Sequence, residues 1–191
     1  LADGVHTVNG NILSLSDEEM AMIEEAKANF DKVIVLVNAA NPMEISNLEE
    51  DPDIDAILWV GYPGAYGFYG VADILSGDVN PSGHLTDTYA VKNANSPAAQ
   101  NFGDLQWTNA NPDIQMNDAI VEAENIYIGY KYYETRYEDT ILGQGNADSA
   151  VGTKASTDGW NYAEEVCFPF GYGLSYTTYE YNLDKLDYNS D

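Results

Sequence analysis

At 191 residues the chain suits one domain, long enough to bury a core of its own. Seven Lys and Arg against 32 Asp and Glu give a formal charge of −25, which repels phosphate backbones and anionic lipid and argues against nucleic acid as a partner. No apolar run approaches the ~20 residues of a membrane span, and the single Cys167 permits neither an internal disulfide nor a CxxC metal site.

The chain opens on Leu1 rather than Met and shows no signal-peptide pattern, so it is expected to be an excised or processed piece. Leu1 to Leu13 is polar and irregular, an entering segment. Ser16-Asp-Glu-Glu19 has the capping-box form, and a helix should follow to about Asn29 with Met20, Ile23, Ala26 and Phe30 inward. Lys32 to Val37 is a β-branched run without alternation, the pattern of a strand covered on both faces. Asn41-Pro42 offers an N-cap and an N1 proline for a short helix through Met43, Ile45 and Leu48.

Asp51-Pro-Asp-Ile-Asp55 invites a calcium reading. An EF-hand loop needs Gly at its sixth position and Glu at its twelfth, where this chain has Ala56 and Tyr62, so a polar turn is expected instead. Ala56 to Val60 reads as the next strand. Phe68, Val71, Ala72 and Leu75 then form one face of a helix that Gly77 can end. Strand and helix alternating in this way predict a parallel sheet with right-handed crossovers.

Asn80-Pro-Ser-Gly83 is a turn, and His84 to Tyr89 should leave it extended. Lys92 to Asn117 is polar enough to predict a long surface loop. Ile126 to Tyr137 carries five tyrosines at a spacing that suits helix and strand equally, and a short helix is taken. Gly143 to Glu165 lacks periodicity and reads as a loop or an insertion. In the tail, Thr177 to Leu183 alternates Tyr with polar residues, as a linker strand would. There is no internal repeat.

Between the second strand and its helix, Gly61, Gly64, Gly67 and Gly70 alternate with Tyr62, Tyr66, Phe68 and Tyr69. In an open α/β sheet this loop leaves the carboxyl end of a strand, where such folds place their sites. The glycine spacing is not that of a dinucleotide fingerprint, and no Walker sequence or Gly-x-Ser-x-Gly elbow occurs. His6 and His84 are isolated, more in keeping with surface or packing roles than with a base or ligand. Trp59 is expected in the core, whereas Trp107 and Trp160 fall in loops where a sugar could stack. For the four loop aromatics, packing against a neighbouring domain ranks ahead of direct sugar contact.

Trp59-Val-Gly-Tyr-Pro-Gly, followed by Val71-Ala-Asp-Ile-Leu-Ser-Gly-Asp-Val-Asn-Pro-Ser-Gly83, resembles the second domain of family 3 glycoside hydrolases, the β-glucosidase family. Val33-Ile-Val-Leu-Val-Asn-Ala-Ala-Asn-Pro-Met-Glu44 and Phe168-Pro-Phe-Gly-Tyr-Gly-Leu-Ser-Tyr-Thr-Thr178 agree with it, and Glu124-Asn-Ile-Tyr-Ile-Gly-Tyr-Lys-Tyr-Tyr133 does so more loosely. The resemblance implies a three-layer α/β/α sandwich with a mostly parallel sheet over residues 1–183, and a linker toward a following domain over 184–191. It implies a β-glucoside or oligosaccharide substrate, no metal and no cofactor. Its partner would be an N-terminal (β/α)8 barrel, whose active-site face this domain covers.

Retaining glycoside hydrolysis needs a carboxylate nucleophile and a carboxylic acid/base about 5 Å apart. The family takes the nucleophile from a Ser-Asp-Trp-like motif on the barrel, and the acid/base from a Gly-Glu-Gly-like loop ahead of this region. Neither motif is present, so no residue here receives a catalytic role. The substrate- or barrel-facing candidates are Asn38, Asn41, Tyr62, Tyr66, Phe68 and Tyr69, with Asn41 better explained as a helix cap. Two rival readings are a stand-alone carbohydrate-binding module that stacks sugars on its tyrosines, and a flavodoxin-like nucleotide domain. The negative charge leans toward an extracellular setting without naming the compartment.

Overall fold

The structure, a computed structural model, describes residues 13–103, 105–106, 113, 118–147 and 160–188. The entering segment up to residue 12, His6 and Trp107 lie outside the described residues.

Helix α1 (Asp17–Asn29) starts as its sequence dictates. Ser16 Oγ accepts from the Glu19 amide (3.2 Å), and Glu19 Oε2 accepts from the Ser16 amide (2.8 Å), so two orphan N–H groups are satisfied reciprocally. Asp17, Glu18 and Glu19 in the first turn and Lys27 in the last complement the helix dipole. Ile23 is buried and Met20 packs beside it. Phe30, expected inward, is 68% exposed. As the C-cap it has extended backbone (φ −131°), which takes it off the helical stripe.

Strands β1 (Ile34–Val37) and β2 (Ala56–Trp59) pair in parallel, Ile34 with Ala56 through Val37 with Trp59. One face, carrying Val35, Val37 and Ile57, packs into the main core with Ile23, Met43, Ile45 and Leu48. The other is open: Ile34 and Leu36 are exposed, so the two-sided cover expected for β1 is missing among the described residues. Helix α2 is only Ser46–Glu49 and has no side-chain cap, so Asn41 is not a helix N-cap. The Glu44 amide donates to Leu13 O (2.8 Å) and Glu44 bridges Ser14 in parallel, which holds this segment out of the helix while Met43 and Ile45 are buried.

Helix α3 (Gly67–Ser76) ends at Gly77 in the left-handed conformation (φ 84°), but none of its residues is buried. A long-range tie joins it to the tail. Tyr176 Oη donates to Ile74 O, while Asn80 Oδ1 accepts from Ser175 Oγ and the Tyr176 amide.

Strand β3 (Tyr89–Ala90) pairs antiparallel with β6 (Val166–Phe168), and Leu85 extends that contact through Tyr172 and Gly171. The region expected to be a long loop contains a 3₁₀ turn at Asn93–Asn95, helix α4 (Pro97–Asn101), and β4 (Leu105–Gln106) paired antiparallel with β5 (Asp118–Ala119). Ser96 Oγ caps α4 on the Ala99 amide with Pro97 in its first turn, a start signal that the polar composition concealed. The tyrosine-rich segment is helix α5 (Tyr130–Leu142). Within the expected loop or insertion, Ala147 is fully buried and Tyr162–Glu165 forms the short helix α6, while 148–159 lie outside the described residues. Residues 177–188 hold no regular element, so the linker strand is not found.

The content is α/β. One two-stranded sheet is parallel and two are antiparallel among the described residues, and a mostly parallel sheet is not seen among them.

Candidate functional site

The parallel pair fixes where its loops emerge. The Val60 amide donates to Val37 O (3.0 Å), continuing the ladder one step beyond β2, so the loops after β1 and β2 leave the same carboxyl end. Trp59 joins them: its Nε1–H donates to Ala39 O at 2.8 Å. It is therefore half-exposed at the sheet's end rather than a core residue. Gly61 follows with φ +57°, and a Cβ there would lie 3.1 Å from the Trp59 ring. A Cβ on Gly67 would meet the Pro63 Cβ at 2.6 Å, so glycine is required where α3 begins against that proline.

This loop presents its aromatic rings outward. Tyr62, Tyr66 and Tyr69 are largely exposed, Tyr66 at 81%, and Phe68 is half-exposed. The Tyr66 and Tyr69 rings stack at 6.5 Å with an interplanar angle of 18°. Asn38 is exposed just beyond β1, and Asn41 is half-buried. Asn38, Asn41, Tyr62 and Tyr66 thus belong to the two loops at one end of the sheet, while Phe68 and Tyr69 lie in the first turn of α3.

Three acids elsewhere, Asp51, Asp55 and Asp139, have structural occupations. Asp51 Oδ2 pairs with Lys27 Nζ (2.6 Å), while Asp55 pairs with Lys32 and accepts from the Val33 amide (2.8 Å). These bonds, the lysine contact first in each case, hold both carboxyls below their ordinary range. The polar turn therefore ties the end of α1 to the start of β1. Asp139, buried in α5, is pushed upward by its burial, yet hydrogen bonds from the Ala147 amide (2.7 Å) and Asn146 (2.8 Å), with Arg136 nearby, outweigh that and lower it. Among the described residues no group of three or more His, Cys, Asp and Glu could hold a metal ion.

Two concavities among the described residues bear on the site. A groove of about 340 Å³ is lined by Glu49, Glu50, Tyr162 and Cys167. Its carboxylates are sequence neighbours at the end of α2 rather than a facing pair. Burial, then the charges of Glu49 and Glu50, push the Cys167 thiol to about 12, leaving it inert as a nucleophile near neutrality. The second cavity, about 120 Å³, is lined by Asp87, Thr88 and Glu124 among others, and is smaller than the ~300 Å³ at which ligand pockets begin. It is too small for a glycoside. Trp160, where a sugar could have stacked, is taken up in packing: the Arg136 guanidinium lies 4.9 Å from its ring and Tyr162 meets it edge-on. His84 is exposed, with Nδ1 3.0 Å from Ser82 O.

Sequence reasoning missed the buried Arg136 and Asp139. A basic and an acidic residue three apart within a tyrosine-rich helix were the available signal.

A parallel strand pair with helices, and loops gathered at the strands' carboxyl ends, defines an α/β protein. Residues 7–176 match the glycosyl hydrolase family 3 C-terminal domain, and the chain belongs to that family. Beta-glucosidase A of Butyrivibrio fibrisolvens is 32% identical over 86% of this chain and 16% of its own length. The beta-glucosidase of Ruminococcus albus is 30% identical over 89% of this chain and 14% of its own. A solved beta-glucosidase from Paenibacillus barengoltzii superposes with a TM-score of 0.60 at 33% identity, covering 86% of this chain and 14% of that one. The beta-D-glucoside glucohydrolase of Trichoderma reesei (TM-score 0.57, 22% identity, 88% and 18% covered) shares the fold. The chain thus spans a small fraction of the length of the relatives it matches.

Proposed function

We propose that this chain is one part of a retaining β-glycosidase, a β-glucosidase in the first instance, that acts on terminal β-linked sugars only together with a (β/α)8 barrel from the rest of the parent polypeptide. The relatives' names and the short share of their length support this. The observation that carries it is the outward-facing aromatic loop, Tyr62 to Tyr69, at the carboxyl end of a sheet whose Ile34–Leu36 face is also uncovered. Both surfaces suit a domain that closes over something larger. Tyr62, Tyr66, Phe68 and Tyr69, with Asn38 beside them, would line the barrel-facing side and shape the leaving-group end of the pocket. On docking, the open face of β1 and β2 would become an inner layer of a three-layer sandwich.

Asp87 and Glu124 share a cavity too small for a glycoside, so no carboxyl pair among the described residues is proposed for the double displacement. The nucleophile and the acid/base belong to the remainder of the parent, and this chain contributes wall and water exclusion. The purified chain should therefore show no turnover of an aryl β-glucoside; measurable hydrolysis would overturn the proposal. The stacked, exposed Tyr66 and Tyr69 rings favour a second reading, a carbohydrate-binding module. Titration with cellobiose separates the two. Saturable binding without the barrel supports the module, and no binding supports a domain that only completes a composite pocket.

A further inference from the structure

The smaller cavity has polar walls that the fold does not use. Thr88 follows Asp87, where the chain enters β3, and is 4% exposed. Its Oγ1 has no hydrogen-bond partner among the described residues, and neither does the buried Oε2 of Glu124. Both residues line the same cavity, with Asp87 and Gly129. Asp87 Oδ1 accepts from the Thr88 amide (2.8 Å), which fixes that carboxylate at the wall. Leaving a buried carboxylate oxygen and a buried hydroxyl both unpaired is costly, roughly 1–3 kcal/mol for each neutral group and more for a charged one. Natural folds retain such pairs where something else completes them.

The chemistry of the walls selects the occupant. Asp87, Thr88 and Glu124 offer oxygen alone, and no His or Cys lines the cavity, so soft and borderline metals are disfavoured. The surroundings are electronegative. Burial first, and then the charges of Glu165, Tyr132, Asp87 and Glu44, hold the neighbouring Tyr133 phenol above its ordinary range. A volume of about 120 Å³ accommodates one ion with a few of its waters, each water occupying about 30 Å³.

We propose that this cavity binds a hard, oxygen-seeking cation of the calcium type, held by Asp87, Thr88 and Glu124 with water completing its shell. Two carboxylates and a hydroxyl do not form a full protein cage, which predicts modest affinity. The ion would tie the start of β3 to the loop that precedes α5, a structural role independent of any sugar chemistry.

The test uses the full 191-residue chain, stripped with chelator and titrated with calcium chloride in about 0.15 M sodium chloride, which screens weak binding to the acidic surface. One saturable calorimetric site is expected, with a rise in the thermal midpoint of about 5 °C at saturation. Glu124→Gln keeps the side chain's shape and removes its charge, and Thr88→Val removes only the hydroxyl. Each should weaken the site at least tenfold, whereas Glu18→Gln on exposed α1 should leave it unchanged. Absence of both heat and midpoint shift in the wild-type chain overturns the proposal, and does so without any variant having to fold. A shift that survives intact in both cavity variants places the ion on the surface and overturns it equally.

Discussion

Helices α1 and α3 flank the same parallel strand pair, and only one of them finds a core. α1 is rich in Glu, and its short apolar stripe buries Ile23 against Val37 and Leu48. α3 is far more apolar, with Phe68, Val71, Ile74 and Leu75, yet none of its residues is buried. The helix with less apolar surface is the better packed. Amphipathicity specifies an element and the face it wants to cover, but not whether the covering partner lies in the same chain. Ile34 and Leu36 on the open face of β1, Phe68 and Leu75 on α3, and the tyrosines that lead into α3 all stand exposed. A chain spanning 14% to 16% of its relatives' length is where such a mismatch is expected.

The contrast breaks first on truncation. Leu48, 1% exposed, touches the packed side, so Leu48→Ala should cost about 2–5 kcal/mol in urea unfolding. Leu75→Ala, on a side chain 45% exposed, should cost no more than about 0.5 kcal/mol in this chain. Equal losses at the two positions would mean that α3 is packed after all.

Next in size is a polar anchor on the packed side. Asp139→Asn keeps the volume but sets an amide against the Ala147 N–H or removes the charge from both bonds, and should destabilise by about 1–3 kcal/mol at neutral pH. The sign of its pH dependence follows from the lowered carboxyl. Stability that depends on the charged form is fully present above the unfolded value of 3.8 and is lost as pH falls through the lower folded value. Urea midpoints of the two proteins should therefore differ at neutral pH and converge on acidification below 3.8. A difference that persists undiminished in strong acid would show that the carboxylate charge is not its source.

Legibility followed local signals rather than packing. The capping box, both parallel strands, the span of α3 and its stop at Gly77 could all be read, because each rests on contacts a few residues apart. Asn41 failed as a cap because Glu44 is engaged by Leu13, some thirty residues upstream, which no local pattern reports. The two-sided cover of β1 failed for the reason α3 stands bare, since an unbroken apolar run states a need for cover and not its source. Ser96-Pro97 was locally readable and was hidden only by treating a polar stretch as structureless. The aromatic run from Tyr62 to Tyr69 is visible in the sequence, whereas the orphaned Thr88 and Glu124 are not. They lie 36 positions apart and meet only through the fold.

A smaller effect tests the local rules themselves. Ser16→Ala leaves the Glu19 amide without its partner and should cost about 1 kcal/mol, read as a modest drop in the urea midpoint. No change would mean that tertiary packing of Ile23 alone holds α1.

The smallest change in stability should accompany the sharpest test of the uncovered side. Leu75→Lys places a charge on a side chain of α3 that is 45% exposed in this chain. Its unfolding free energy should stay within about 0.5 kcal/mol of wild type. Its self-association should fall, because an exposed apolar patch is what draws copies together at high concentration. Sedimentation velocity over a concentration series reads this directly: the wild-type coefficient should climb and the variant's should stay flat. In the proposed parent enzyme the same lysine should instead lower the thermal midpoint, since there the face is proposed to be covered and an unpaired charge would be buried. A substitution silent in the fragment and harmful in the parent would locate the missing partner on α3; one silent in both would leave α3 a solvent-facing helix and return the apolar surface to chance.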